Sequence, residues 1–512
     1  MLGFYQAIRP HSPLKGIKFL SSYKNLIAYQ RQTEALSKIS QRMGWDQEAV
    51  MPSGALPDRV EEAAALEKIL HERRASEELE GLLASVQDEH LNAIERRQLA
   101  LIKRSFSRAR KVPLDLSVAL ARITPKAHQV WANARAEDNF NSFAPVLAEV
   151  VELRREEGEA LADGSDISAY DALLQDYEPD GTVADLTAMF DELRQPLVTL
   201  RTAVLERPEP EVIKGKFNPE QQILIAHELA DCFGYDFSRG RIDKAVHPFS
   251  SGSGRDVRIT TRTDPADPLN CFYSTIHEVG HGSFEQNIDA KYGFSPIGSG
   301  CSMGVHESQS RIYENQLARS RQFTGYLYRR MREVFGDFGL PDEHSFYQAV
   351  NRVSRGYIRT EADELQYNLH IMLRYDLERY LISGILQVPD LEAAWNERFL
   401  VDFGYEVDKA SNGVLQDVHW SEGLFGYFPT YSLGNVYAGC LYLALQKDVP
   451  DLEGQISSGN LKPAVSWLKD NLQKHGNRFP ARELIETACR QTISVSPLLS
   501  YLKGKFSDLY DI

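Results

Sequence analysis

Two histidines four residues apart, with a glutamate directly after the first, stand at His277, Glu278 and His281 in the stretch STIHEVGHGSFEQN. On a helix, residues i and i+4 share one face, so both imidazoles can turn toward a single cation. Imidazole nitrogen suits Zn²⁺, and a catalytic zinc wants three protein ligands plus an open position for water. Glu278 would lie beside that water and can take its proton, then pass it to a leaving amine. The plain alternative is two surface histidines bracketing a solvated glutamate. With 13 histidines, the pattern arises by chance in roughly one such chain in forty, so the motif alone does not decide.

A third ligand has to come from elsewhere. The stretch GVHESQSRIYENQLARS reads as another helix that can fold back on the first, and its Glu307 is one candidate. Glu285 and Glu314 compete with it, and spacing does not choose among them.

These groups need rigid elements to hold them, and the chain supplies mostly helices. In RVEEAAALEKILHERR, Ala65, Leu66, Ile69 and Leu70 fall at helical spacing. NPEQQILIAHELADCFG opens with Asn218 as N-cap and Pro219 at the first helical position, and closes near Gly234. LTAMFDELRQPLVTLRTAVLE reads as a long helix kinked at Pro196. Residues 247–301 differ in texture, being rich in Gly, Ser, Pro and Thr. Within them DVRITTR alternates Val257 and Ile259 against Arg258 and Thr260, the period of a short strand. Just ahead of the histidine helix, such a strand is expected to offer an edge to an extended peptide. No repeat or low-complexity linker marks a domain boundary.

Composition narrows the partners. The 512 residues carry a net charge of −15 with no block of lysine or arginine, which argues against nucleic acid. No stretch approaches the roughly 18 apolar residues of a membrane span. Five scattered cysteines with no CxxC pair suggest a reducing compartment, read here as cytoplasmic. The first 33 residues hold no acidic residue but carry Arg9, Lys15, Lys18, Lys24 and Arg31, the composition of an organellar transit segment; the simpler reading is that residues 1–22 are a basic N-terminal extension on a cytosolic protein.

Several separated motifs then agree in order: HPF at His247–Phe249, DVRIT at Asp256–Thr260, HEVGH at His277–His281, HESQ at His306–Gln309, IRTEAD at Ile358–Asp363 and GVLQDVHW at Gly413–Trp420. With WDQEAVMPSGA (Trp45–Ala55) and YDALLQDYEPDGT (Tyr170–Thr182), they make the chain resemble the thermostable carboxypeptidase Taq family of zinc metallocarboxypeptidases, from about Tyr23 to the C-terminus. Asp180-Gly181 departs from the family's usual Gly followed by an apolar residue.

The resemblance implies a mainly α fold: one large, saddle-shaped helical body over 23–512, with a deep central groove and a small β-sheet beside the active site. It implies a homodimer that releases single amino acids from peptides with a free C-terminus, with broad specificity. It makes Glu307 the third ligand of a Zn²⁺ that Co²⁺ or Mn²⁺ can replace, and Glu278 the general base. Glu285 becomes a bystander.

A carboxypeptidase must also grip a terminal carboxylate, and the arginine fork does so best. The likeness favours Arg359; Arg258 either assists or pairs with Asp256 or Asp363. His419 and Tyr427 are assigned to the developing oxyanion, and Tyr431 to substrate contact or the groove wall. His247 contacts substrate or orders its loop. His306 is a candidate support for the ligands. Cys271 and Cys301 read as small core residues. The rival readings are a dipeptidyl carboxypeptidase or oligopeptidase with the same metal site, and an inactive peptide-binding scaffold.

Overall fold

A computed structural model describes residues 22–86 and 91–512; the basic extension falls, Ser22 apart, outside them. Helices dominate. The element from Pro219 to Cys232 shows how local chemistry bounds them. Asn218 accepts from the Glu220 and Gln221 amides at its start. At its end Gly234, at φ +82°, lets Tyr235 N–H reach the Ala230 carbonyl and Gly234 N–H reach Asp231. The Leu56–Arg74 helix forms as expected, but of the stripe read on it only Leu70 is buried, and Ile69 is 46% exposed.

Eight elements matter for the site: α1 (Ser22–Ala49), β1 (Gly240–Lys244), β2 (Ser250–Ser253), β3 (Asp256–Thr261), α2 (Pro268–Asn287), α3 (Met303–Arg311), α4 (Glu364–Ile382) and α5 (Pro429–Asp448). The three strands form one sheet in the order β1-β3-β2, β1 parallel and β2 antiparallel to β3. This corrects the expectation for DVRITT: β3 is the central strand, with both rows of backbone groups already paired, so it offers no free edge. Val257 and Ile259, on its inner face, are fully buried, and that burial is what the alternation signalled.

Two large apolar clusters make up the core. One holds Ile276, Val279 and Val305 of the α2–α3 pair together with Leu441 of α5. The other holds Leu369 of α4, Trp395, Trp420 and Phe428. Met189 and Ile493 pack against both. A smaller cluster around Leu26, Leu79 and Ile102 joins the N-terminal helices. The cleft that carries the site takes wall residues from both large clusters, Tyr273 from one and Tyr367 from the other.

Candidate metal centre and substrate cleft

α2 begins at Pro268 under an Asp267 cap whose side chain accepts from Leu269 N–H at 2.9 Å. Helical spacing then puts His277 and His281 on one face, beside a cleft of about 910 Å³. Gly280 lies between them because α3 passes too close for any side chain. A Cβ there would stand 2.6 Å from the Gln309 carbonyl oxygen and the Ser310 Cα. From the other side, Gly434 of α5 lets Glu307 in: its own Cβ would fall 2.6 Å from the Glu307 side chain.

The close packing brings one ligand atom each of His277, His281 and Glu307 within 4.8 Å of one another. Glu307 Oε2 stands 3.8 Å from His277 Nε2 and 3.3 Å from His281 Nε2. The donor set fits a divalent cation: two imidazoles and a carboxylate converge, and each group is held from behind by its other atoms.

His277 Nδ1 bonds to Glu314 Oε2 at 2.9 Å. His281 Nδ1 bonds to His306 Nδ1 at 2.7 Å, and His306 Nε2 to Glu285 Oε1 at 3.1 Å. One arrangement of protons satisfies the second chain while leaving His281 Nε2 a free lone pair: His281 Nδ1–H donates to His306, and His306 Nε2–H donates to Glu285. Glu307 Oε1 accepts from Arg311 Nε at 2.6 Å, and Oε2 from the Ser310 hydroxyl at 3.0 Å.

Glu285 and Glu314, the competitors for the third ligand, therefore face the backs of the histidines. Glu285 is no bystander, since it ends the chain that orients His281. Glu314 owes its place to a π-helical stretch, Ile312–Ala318, that follows α3. Such widened turns recur at functional sites, and nothing in the residue pattern announces one.

Electrostatics agree with the geometry. Burial lowers His281 to about 4, so its imidazole is neutral at pH 7. Burial would raise Glu307, but Arg311 and the two histidines hold it well below the carboxylate range. Burial also pushes Glu278 up to about 7, with the charges of Glu307 and Glu314 adding to the effect.

Further wall residues come from the segment before α4 and from the start of α5. Arg359 lines the cleft and is 6% exposed. Its Nε and Nη2 donate to Asp417 Oδ1 at 3.1 and 2.8 Å, Nη1 to the Tyr367 hydroxyl at 3.1 Å, and its backbone N–H to Gln416 Oε1 at 2.9 Å. The adjacent Gln416 and Asp417 of GVLQDVHW thus hold Arg359 by main chain and side chain. Buried Arg374 shares Asp417 through Nε at 2.6 Å. Two guanidiniums on one carboxylate leave a net positive charge beside the cleft.

Tyr427 and Tyr431 line the cleft as well, and burial pushes Tyr427 up to about 12, so it remains a neutral donor. His419 stands behind them: Nε2 bonds to the Tyr431 hydroxyl at 3.2 Å, and its ring stacks on Phe428 at 4.3 Å. Burial, reinforced by Arg359 and Arg374, lowers it to about 3. Its link to the cleft wall is this bond to Tyr431, with the Tyr427 ring 5.6 Å away.

Two proposed contacts lie outside the cleft. Arg258 chelates Asp256 at 2.8 and 3.1 Å and covers the Trp45 ring at 4.1 Å, which ties α1 to the sheet. His247 is exposed, while its neighbours Pro248 and Phe249 face the cleft. The sheet thus reaches the site through the start of β2. Cys271 and Cys301 are buried and unpaired, as are Cys440 and Cys489; Cys232 is half-buried and also unpaired.

A family model described as carboxypeptidase Taq (M32) metallopeptidase matches residues 25–506. The chain is 37% identical to thermostable carboxypeptidase 1 of Thermus thermophilus, over 96% of this chain and 99% of that protein. It is 34% identical to carboxypeptidase 1 of Bacillus subtilis, over 91% and 94%. Among solved structures, the M32 carboxypeptidase of Deinococcus radiodurans superposes with a TM-score of 0.92 at 34% identity, covering 96% of this chain and all of that one.

Proposed function

The chain belongs to the carboxypeptidase Taq (M32) metallopeptidase family, and from that premise we propose that it is a zinc-dependent carboxypeptidase that releases single residues from peptide C-termini. The observation that carries this reading is one cleft lined by His277, His281, Glu307, Glu278 and Arg359 together. Its lining suits two tasks: α2 and α3 gather the metal ligands, and Arg359 presents a buried guanidinium.

When bound, a divalent ion would supply a Lewis acid that polarises the scissile carbonyl, acidifies a water and by its charge favours ionised Glu278. Glu278 takes the water's proton and returns it to the departing amine. Arg359, fixed by Asp417, Gln416 and Tyr367, receives the terminal carboxylate and so sets which bond reaches Glu278. Tyr427 donates to the oxyanion as it forms, with Tyr431 beside it steadied by His419. Arg258 and His247, outside the cleft, take no part in this reading. Zinc is favoured by the two-imidazole, one-carboxylate set, and Co²⁺ or Mn²⁺ fits the same donors. A homodimer in the cytoplasm completes the reading; five unpaired cysteines suit a reducing compartment.

Digestion of an N-blocked peptide followed by mass spectrometry tests the whole. Losses of one residue at a time are expected. Dipeptide release or internal cuts would instead establish the dipeptidyl carboxypeptidase or oligopeptidase reading. Glu278→Gln should keep its metal, by elemental analysis, and lose at least about a thousandfold in kcat. Retained turnover would remove Glu278 as the base.

A further inference from the structure

Three donors from distant parts of the chain converge on one carboxylate. Glu378, on α4, is fully buried. Its Oε1 accepts from the Trp420 indole N–H at 2.9 Å, and its Oε2 from the Tyr170 hydroxyl at 2.7 Å and the Gly426 backbone N–H at 3.0 Å. A carboxylate has acceptors on both oxygens, which is what donors arriving from both sides require. Glu378 is held there without a cation of its own, because the buried Arg374 on the same helix pairs with Asp417. Burial raises the carboxyl to about 7 despite its three bonds, and an acid kept at such a cost to stability suggests a task beyond packing.

The donors stand where they affect the site. Trp420 directly follows His419, and Gly426 directly precedes Tyr427, so one carboxylate pins both ends of the turn that carries these two residues. Within the turn, Leu424 N–H closes on the His419 carbonyl at 2.9 Å. Gly426 takes φ +83°, and a Cβ on it would stand 2.7 Å from the Leu174 backbone nitrogen. The turn is therefore clamped between α4 and the stretch from Tyr170 to Glu178.

That stretch belongs to the motif YDALLQDYEPDGT, which the metal site and the carboxylate anchor leave unexplained. It sets the Tyr177 ring edge-on against the Tyr427 ring at 4.9 Å. It also caps α3: the Tyr177 carbonyl accepts from Met303 N–H at 2.9 Å, and Glu178 Oε2 from Gly304 N–H at 3.2 Å. The motif thus joins the Tyr427 turn to the helix that carries Glu307.

We propose that Glu378 is a positioning residue: by holding the Gly426 amide and the Trp420 indole, it fixes the Tyr427 hydroxyl where the oxyanion develops. The inference rests on the carboxypeptidase reading above and on Tyr427 as the oxyanion donor. The three bonds of Glu378 reach neither the metal ligands nor Arg359, so its replacement acts on the chemical step and spares substrate and metal binding.

Hydrolysis of an N-blocked dipeptide by the zinc-loaded parent, Glu378→Gln, Tyr427→Phe and the double variant tests this. Glutamine has one acceptor oxygen and turns an amino group toward Trp420 or Gly426, so the turn shifts. Tyr427→Phe should lower kcat by about 100-fold, the usual effect of removing one oxyanion donor. Glu378→Gln should lower kcat roughly tenfold, as a small misplacement of that donor does, with KM and metal content unchanged. In the Tyr427→Phe background it should cost less than about twofold, since no hydroxyl is left to misplace. An equal loss in both backgrounds would make Glu378 purely structural and overturn the proposal, as would an unchanged kcat in Glu378→Gln or a risen KM in place of a lowered kcat. If Glu378→Gln shows no cooperative unfolding transition, Trp420→Phe replaces it, since it removes one of the same bonds. A several-fold loss of kcat that disappears beside Tyr427→Phe is then expected, and a loss that persists there overturns the proposal. Full kcat in Tyr427→Phe would instead remove Tyr427 as the donor, and the proposal with it. A parent that leaves the dipeptide intact refutes the carboxypeptidase reading on which both stand.

Discussion

Replacing Glu285 by Gln tests whether the chain from Glu285 through His306 to His281 matters to the metal. The substitution keeps an oxygen where Oε1 now accepts from His306 Nε2 and from Gly300 N–H, each at 3.1 Å. It removes the negative charge and adds no bulk. A charge-assisted hydrogen bond is worth about 1 kcal/mol more than a neutral one, and that loss reaches His281 through a single intermediate, the 2.7 Å contact with His306. The affinity for Zn²⁺ should therefore fall by roughly fivefold at most. Glu314→Gln is the matched comparison. Glu314 touches His277 directly at 2.9 Å and also takes Arg311 and Arg319. Losing its charge weakens one ligand's support and leaves two guanidiniums undercompensated, so affinity should fall by about 10- to 100-fold. Titration against a competing chelator at fixed pH measures both. Equal affinities for Glu285→Gln and the parent, beside a large loss in Glu314→Gln, would show that the second chain carries no metal-binding energy. A larger loss in Glu285→Gln would refute the argument from directness.

Gly280→Ala should cost about 3 kcal/mol in denaturant unfolding and lower the metal content, since its Cβ would overlap the backbone of α3 at 2.6 Å. Arg258→Gln should leave KM unchanged, because the side chain lies against Asp256 and Trp45 outside the cleft; a several-fold rise in KM would reinstate it as a substrate contact. Glu378→Gln bears on pH. Burial raises the Glu378 carboxyl from 4.5 to about 7 although it accepts from Tyr170, Trp420 and Gly426. A carboxyl raised in the folded state binds more protons there than unfolded, so its contribution is full below about pH 4.5 and is lost as pH rises through 7. The variant does not titrate, so its stability relative to the parent should improve by on the order of 3 kcal/mol between pH 5 and pH 8. Denaturant melts at both values check this, and a pH-independent difference would contradict it.

The division between sequence and tertiary structure follows the range of the forces involved. His277, Glu278 and His281 were legible as a unit because one helix sets their relative directions through backbone hydrogen bonds only four residues long. Asn218, Pro219 and Gly234 announced a helix's ends for the same reason, and the alternation in DVRITT announced a strand with Val257 and Ile259 buried, though Thr260 on the other face is buried as well. Sequence likeness named Glu307, but three glutamates remained equivalent on spacing alone. Their separation into one facing the ligand cluster and two behind the histidines depends on how tightly α2, α3 and α5 pack, which the missing side chains of Gly280 and Gly434 permit, and on a π-helical stretch that places Glu314. Alternation likewise could not say that β3 is central, since pairing partners come from other parts of the chain. Arg258 and Arg359 look alike as motif arginines; one lies against Trp45 and the other in the cleft because residues far off in sequence, Trp45 and Asp417, bind them there. Periodicity and capping act within a turn or two, whereas burial and shared carboxylates exist only once distant segments meet.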